Sequence, residues 1–346
     1  MDSSSTSADL IVVGAGPCGL AVGAAARKRG LHPILLEAGA VVNSLVGYPP
    51  YMEFFSTSER LELENVPFPT PREKPSRQEA MAYYRGIVRH FGLDVRTYHK
   101  VVGVHRQDRS EGSSPGGFRV EVKGPHETPL HFSTPSVVVA TGGFHEPNPL
   151  GVPGDHLPKV LHYWSEAHPY WDQDVAVVGG GNSAVDAALQ LFRVGARVTL
   201  IHFQNELDRG VKPWVLPDIR NRLEKGEIQV RWGHRVKAVH PHSVQIEPVE
   251  GGEVEELVNQ WLFAMTGWRG DRTLLESLDV PFHPETGIPA HDPETMETPV
   301  PGLYIAGVLA AGDDANKIFI ENGRLHGGQI VQDILRRQGE GSTPHR

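Results

Sequence analysis

Apolar and polar positions near the start of the chain follow the pattern of a strand–helix–strand unit. An apolar strand is expected at residues 10–13, then a glycine-rich turn at 14–19, a helix of small residues at 20–28 and an apolar strand at 33–37. This order is typical of a βαβ unit with parallel strands.

The same pattern occurs again in the middle of the chain. A strand is expected at residues 174–178, a glycine-rich turn at 179–181, a helix at 184–192 and a second strand at 197–202. Because the unit is repeated, the chain is predicted to have an α/β fold with two Rossmann-like dinucleotide-binding domains. Further elements are strands at 118–122, 136–140, 261–265 and 303–306, and a closing amphipathic helix at 318–337.

The first turn, Gly14-Ala15-Gly16-Pro17-Cys18-Gly19, has the glycine spacing that lets a backbone approach a pyrophosphate at a helix N-terminus. Glu37 ends the second strand, where an acid accepts hydrogen bonds from a ribose. Two further segments, Ala140-Thr141-Gly142 and residues 302–307, suit a long extended cofactor. The first site is therefore predicted to hold FAD.

The second turn, Gly179-Gly180-Gly181-Asn182-Ser183-Ala184, is predicted to hold a nicotinamide dinucleotide. The position that corresponds to Glu37 of the first unit is here His202. With no acid at this point and with Arg209 and Lys212 shortly after it, the sequence favours a 2′-phosphate and hence NADPH. The alternative is that the two basic residues only form a solvated loop.

Composition narrows the class of partner. The net charge of −9 and the pI near 6.0 offer no basic stripe for a nucleic acid, so a small-molecule partner is expected. The polar start and the lack of a long apolar run predict no membrane span. The one cysteine, Cys18, excludes an intramolecular disulfide and suits the reducing cytoplasm. The 18 histidines show no metal-ligand spacing, so no metal is predicted.

The two turns and the segments between them resemble the low-molecular-weight thioredoxin reductase superfamily over nearly the whole chain. That resemblance implies a discontinuous FAD-binding domain at 1–145 and 270–346, with an NADPH-binding domain inserted at 146–269. The Cys-x-x-Cys pair of thioredoxin reductases is replaced by His162-Tyr163-Trp164-Ser165. The chain more closely resembles the bacillithiol disulfide reductase family, which lacks the pair. The matching segments are residues 14–20, 54–61, 153–160, 212–214 and 314–323.

This resemblance implies an NADPH-dependent flavoprotein disulfide reductase, cytoplasmic and homo-oligomeric, with bacillithiol disulfide as its substrate. Val308 replaces the usual flavin-contacting Asp, and Asp313 or Asp314 is the candidate substitute. The expected FAD contacts are Gly14, Gly16, Pro17, Gly19, Glu37, Ser56, Val101, Thr141, Gly142, Gly307 and Ile318. The expected NADPH contacts are Gly179, Gly181, Asn182, Ser183, His202, Arg209 and Lys212.

Cys18 is the candidate catalytic residue. It lies at a helix N-terminus, where the dipole is expected to lower the thiol pKa, and the resemblance implies a mixed disulfide with bacillithiol. The alternative is a small packing residue beside the pyrophosphate. For proton delivery the candidates are His145, His162, His240, His242 and His326.

Three other functions remain open. A flavin monooxygenase shares both glycine turns and needs no redox cysteines. A thioredoxin-reductase-like ferredoxin–NADP reductase would need a basic docking face, which the net charge of −9 disfavours. A nucleotide-sensing flavoprotein would bind FAD without turnover.

Overall fold

The computed structural model describes residues 6–107, 117–144, 146–314 and 317–341. In chain order the strands are β1 (Thr6–Ser7), β2 (Leu10–Val13), β3 (Pro33–Leu36), β4 (Asp94–Arg96), β5 (Lys100–Arg106), β6 (Phe118–Lys123), β7 (Pro129–Thr134), β8 (Val137–Val139), β9 (Glu146–Pro147), β10 (Val160–Leu161), β11 (Asp174–Val178), β12 (Arg197–His202), β13 (Gln229–Trp232), β14 (His234–His240), β15 (Ser243–Pro248), β16 (Glu255–Val258), β17 (Trp261–Ala264), β18 (Trp268–Arg269) and β19 (Leu303–Ile305). The helices are α1 (Pro17–Lys28), α2 (Ser58–Leu61), α3 (Arg77–Phe91), α4 (Asn182–Arg193), α5 (Leu216–Glu224), α6 (Thr273–Glu276), α7 (Ile320–Gly323) and α8 (His326–Gly341).

These elements form two compact units. The first comprises the chain up to Val46, Tyr51–Glu146 and the chain from Arg269 onwards. The second comprises Gly47–Pro50 and Pro147–Trp268.

A five-stranded parallel sheet in the order β19-β8-β2-β3-β4 forms the centre of the first unit. Its middle strand β2 is fully buried, as expected for a parallel sheet covered on both faces. Val13 lies opposite both Leu36 and Val139. Gly14 and Glu37 therefore follow their strands at the same edge of the sheet.

Two other parts complete the first unit. A four-stranded sheet in the order β1-β7-β6-β5 is antiparallel except for the β1–β7 pair. Helix α1 packs against α8. The alanines of α1 allow the two helices to approach closely, because the side chain of alanine is only a methyl group.

The second unit repeats the parallel arrangement, with a five-stranded sheet in the order β10-β17-β11-β12-β13. Val178 of β11 lies opposite Ile201 and Ala264. The glycine turn after β11 and His202 at the end of β12 thus meet at one edge. The strands β14, β15 and β16 add an antiparallel sheet.

The predicted strands agree with the structure to within one residue at each end, but three helices differ. Helix α4 begins at Asn182, two residues before its predicted start. Helix α1 already begins at Pro17, because proline is well suited to the first turn of a helix. The single closing helix expected at 318–337 is wrong: the structure has the one-turn helix α7 and the separate helix α8. A Cβ at Gly323, the last residue of α7, would lie 2.8 Å from Cys18 Sγ, so the chain turns there in close contact with α1.

None of the helices in the part of the chain that the structure describes is long and apolar enough to cross a membrane.

Candidate dinucleotide sites

The first glycine turn is packed on its inner side and open on its outer side. Gly14 has a φ of +105°, and a Cβ there would lie 2.5 Å from the Ala140 carbonyl oxygen. A Cβ at Gly19 would lie 2.1 Å from the Gly14 carbonyl oxygen. At Gly16, by contrast, a Cβ would meet no atom within 4 Å. The backbone is thus exposed at the N-terminus of α1, where a pyrophosphate can approach it.

Glu37 is buried at the end of β3, and its carboxylate is engaged with the backbone. One oxygen accepts a hydrogen bond from Ala15 N at 2.8 Å, and the other accepts one from Gly39 N at 2.8 Å. Glu37 therefore stabilises the glycine turn itself, a role that the sequence did not indicate. Each carboxylate oxygen can accept a second hydrogen bond, so the predicted ribose contact stays a prediction.

The other predicted FAD residues lie in different parts of the first unit. Gly142 has a φ of +81° and open space around it just after β8. Gly307 donates its N–H to His326 Nδ1 at 3.2 Å. The Ser56 hydroxyl donates to the Glu321 carboxylate. Val101 is buried in β5.

The residues at the first turn fit an extended dinucleotide, because Gly16 and Gly142 leave room where a side chain would otherwise stand. The substitute for the missing flavin-contacting Asp stays a prediction. The carboxylate of Asp313 is already paired with Arg272, and Asp314 lies 3.9 Å from Lys317 Nζ.

Cys18 lies in a slot between two glycines. A Cβ at Gly307 would be 3.0 Å from Cys18 Sγ, which shows how closely the chain packs around the sulfur. Burial raises the pKa of the Cys18 thiol to about 12, and the negative charge of Glu321 adds to the increase. The expectation that this pKa is lowered is wrong, because burial and the nearby carboxylate both favour the neutral thiol. The catalytic role of Cys18 stays a prediction.

The histidine candidates are scattered. Burial lowers the pKa of His326 to about 4, with a further contribution from His291. His162 Nε2 lies 3.4 Å from Asp155, while His240 and His242 are exposed. His145 lies outside the described residues. Within those residues no cluster of three or more His, Cys, Asp or Glu side chains could hold a metal ion.

The second glycine turn follows β11 and is also tightly packed. Gly179 has a φ of +135°, and a Cβ there would lie 2.4 Å from the Met265 carbonyl oxygen. A Cβ at Gly180 would lie 2.3 Å from His202 Nε2. The buried His202 ring thus fills the space beneath Gly180, and its contact with the cofactor stays a prediction.

The strand β12 ends at His202, as the sequence indicates, but an acid from outside the strand lies close to this position. Asp208, from the following loop, places a carboxylate oxygen 3.3 Å from His202 Nε2, and its N–H donates to the Gly180 carbonyl oxygen at 3.1 Å. Burial lowers the pKa of His202, and the charge of Asp208 opposes that decrease. The loop folds back onto the glycine turn, which spacing along β12 alone could not reveal.

Asn182, the first residue of α4, bonds the same loop. Its Nδ2 donates to the Gly210 carbonyl oxygen at 2.9 Å, and its Oδ1 accepts from Lys212 N at 3.0 Å. Arg209 is exposed immediately before Gly210, and Ser183 is exposed beside Asn182. The structure therefore brings together the turn, Asn182 and both basic residues.

Each unit thus carries a parallel sheet with a glycine turn at the carboxyl edge of its central strand. This arrangement defines a protein with two dinucleotide-binding sites. The described site residues contain a single thiol, Cys18.

Comparison with known proteins agrees with this class. The model of the family "Pyridine nucleotide-disulphide oxidoreductase" matches residues 11–307. The bacilliredoxin reductase Bdr of Bacillus subtilis (strain 168) is 42% identical over 328 residues, 95% of this chain and 98% of that protein.

Two solved structures are similar as well. The bacillithiol disulfide reductase Bdr (YpdA) from Bacillus cereus is 41% identical with a TM-score of 0.91, over 96% of this chain and all of that one. The thioredoxin reductase of Lactococcus lactis is 22% identical with a TM-score of 0.73, over 96% and 99% of the two chains, which shows the shared fold.

The chain belongs to the pyridine nucleotide-disulphide oxidoreductase family. Its fold is thioredoxin-reductase-like, it is an oxidoreductase, and its cofactors are FAD and NADPH.

Proposed function

We propose that this chain reduces bacillithiol disulfide to two bacillithiol molecules at the expense of one NADPH. The observation that carries the proposal is the match to the Bacillus cereus bacillithiol disulfide reductase, which extends over 96% of this chain at a TM-score of 0.91. The lack of a second cysteine fits the proposal, since a dithiol relay within the chain is impossible. FAD, when bound, carries the two electrons between NADPH and the disulfide.

In this proposal FAD is bound by the predicted FAD-binding domain, residues 1–145 and 270–346. The backbone of Gly14, Gly16 and Gly19 lies along the pyrophosphate, and the positive end of α1 stabilises its charge. Glu37 keeps the turn in shape through its hydrogen bonds to Ala15 and Gly39, and its remaining acceptor sites bind the adenosine ribose.

The predicted NADPH-binding domain, residues 146–269, binds NADPH. The exposed N-terminus of α4, beginning at Asn182, receives the pyrophosphate. Arg209 and Lys212 lie on the loop that folds back over the turn, and we assign the 2′-phosphate to them. Asp208 lies on the same loop, with one carboxylate oxygen 3.3 Å from His202 Nε2.

Two routes to disulfide reduction remain for Cys18. If it is the nucleophile, its thiolate attacks one substrate sulfur, a Cys18–bacillithiol disulfide forms and one bacillithiol leaves. The two electrons of NADPH then reduce this mixed disulfide, which releases the second bacillithiol and restores the Cys18 thiol. A pKa near 12 leaves little thiolate at neutral pH, so this route needs proton removal when the substrate is bound. If Cys18 only packs in its slot, the substrate is reduced without a covalent bond to the protein.

The partner is a small molecule. We further propose that the chain works in the cytoplasm as a homo-oligomer, which size measurement of the purified protein in solution can test.

Steady-state NADPH oxidation tests the proposed substrate directly. The purified enzyme is given bacillithiol disulfide, glutathione disulfide, cystine, ferredoxin or oxygen as the acceptor. We expect the largest kcat/KM with bacillithiol disulfide. If kcat/KM is largest with ferredoxin, the chain is a ferredoxin–NADP reductase instead. If it is largest with oxygen and a substrate is hydroxylated, the chain is a flavin monooxygenase.

A further inference from the structure

Between β12 and α5 runs a loop of residues 203–212, which carries both basic side chains assigned to the 2′-phosphate. It is attached to the glycine turn at its middle, where Asp208 N donates to the Gly180 carbonyl oxygen at 3.1 Å. Near its start, the carbonyl oxygen of Gln204 accepts from Gly233 N at 2.9 Å. Neither of these two contacts involves the end of the loop, where Arg209 and Lys212 lie. Other bonds must hold that end.

Asn182 provides two of the hydrogen bonds that hold this end. Its side-chain amide donates to the Gly210 carbonyl oxygen at 2.9 Å and accepts from Lys212 N at 3.0 Å. The residue between them, Val211, is 3% exposed and belongs to the apolar core of the unit. The backbone from Gly210 to Lys212 is therefore held by the packing of Val211, by its N–H bond to the Asp208 carbonyl oxygen at 3.0 Å, and by the Asn182 amide. The Asn182 amide is the side chain that bonds both Gly210 and Lys212.

The geometry of this amide bears on what Asn182 does. Its oxygen and one of its N–H groups already have backbone partners in the loop, so the amide is oriented toward the loop. An asparagine at the first position of a helix would otherwise be expected to bind the phosphates that approach the helix end.

We propose that Asn182 is a positioning residue on which the preference for NADPH depends. Its side-chain amide holds the end of the 203–212 loop by two hydrogen bonds, so that Arg209 and Lys212 are held together at the 2′-phosphate. Because the loop is fixed before the ligand arrives, less ordering is needed on binding. The inference rests on the proposed NADPH site, and it adds that the preference depends on a residue that does not contact the 2′-phosphate.

The test compares two probes that differ only in the 2′-phosphate. Binding of 2′,5′-ADP and of 5′-AMP to the FAD-loaded enzyme is measured by titration calorimetry. In Asn182→Ala we expect 2′,5′-ADP to bind about tenfold more weakly, a loss of about 1.4 kcal/mol, while 5′-AMP binding changes by less than about twofold. Gln190→Ala, an amide removed from the same helix at a distance from the loop, is the matched control and should change neither affinity.

A double-variant cycle separates positioning from direct contact. In the Arg209→Ala, Lys212→Ala background, adding Asn182→Ala should cause no further loss of 2′,5′-ADP affinity. Asn182→Ser, whose short hydroxyl cannot make both bonds, should change the affinity ratio in the same direction, and it serves as a second variant if the alanine variant folds poorly.

Four outcomes would overturn the inference. Equal weakening of both probes in Asn182→Ala would make Asn182 a contact of the shared part of the ligand. An additional tenfold loss in the Arg209, Lys212 background would show that Asn182 acts without them. A wild-type enzyme that binds both probes equally would refute the 2′-phosphate assignment itself. If the wild-type preference for 2′,5′-ADP over 5′-AMP survives in Asn182→Ala, only the positioning role of Asn182 is refuted.

Discussion

Replacing Gly14 and Gly16 one at a time by alanine should separate the folding of the first glycine turn from its use as a binding site. A Cβ at Gly14 would lie 2.5 Å from the Ala140 carbonyl oxygen, and its φ of +105° is unfavourable for alanine. Strain of this kind costs about 1–3 kcal/mol and overpacking against a backbone atom costs about 1–3 kcal/mol more. We therefore expect Gly14→Ala to destabilise the FAD-free protein by about 4 kcal/mol.

Gly16→Ala is the matched control, because a Cβ there meets no atom within 4 Å. Its stability cost should stay near 1 kcal/mol, the loss of glycine at the start of a helix. The new methyl group nevertheless stands where the pyrophosphate must approach, so FAD affinity should fall at least about tenfold.

Both effects are measured on the FAD-free protein, by urea denaturation followed through tryptophan fluorescence and by titration with FAD. A Gly14→Ala protein within about 1 kcal/mol of wild type would refute the packing argument. Full FAD affinity in Gly16→Ala would refute the assignment of FAD to this turn.

Other predictions concern buried titratable groups. Lys159 Nζ donates to three buried oxygens, so Lys159→Met should cost about 3 kcal/mol in thermal denaturation, and the exposed control Lys237→Met under about 1 kcal/mol. Since the pKa of Cys18 is raised to about 12, its reaction with Ellman's reagent should be slow at pH 7 and accelerate steadily up to pH 10; a rate typical of free cysteine contradicts this. His326 has its pKa lowered to about 4, so only the unfolded chain takes up its proton near pH 5. Stability should therefore fall by about 1–2 kcal/mol from pH 7 to 5, and an equal loss in His326→Gln would exclude His326 as the cause.

Much of the architecture could be predicted because its signals are local. The apolar runs of β2 and β11 each indicate a strand, and the glycines that follow them indicate a turn. Both signals lie within a few residues of the element they indicate. The position of Glu37 follows from the length of one βαβ unit.

The parts that could not be predicted depend on contacts between distant segments. Ser56 and Glu321 form a hydrogen bond across 265 residues, and Asp208 reaches the glycine turn only because its loop folds back. The helix N-terminus at Cys18 is visible in the sequence. The rise in its pKa is not, because it comes from packing beside Gly307 and Gly323 and from the charge of Glu321, all far along the chain. Local signals therefore located the sites but not their electrostatics.

Anaerobic stopped-flow absorbance tests the central claim most directly. The enzyme is reduced with one equivalent of NADPH and then mixed with bacillithiol disulfide, with glutathione disulfide as the control. We predict rapid recovery of the oxidised flavin absorbance with bacillithiol disulfide and release of two thiols per NADPH. A flavin that stays reduced in the presence of bacillithiol disulfide, but is promptly reoxidised by oxygen or ferredoxin, would contradict the account.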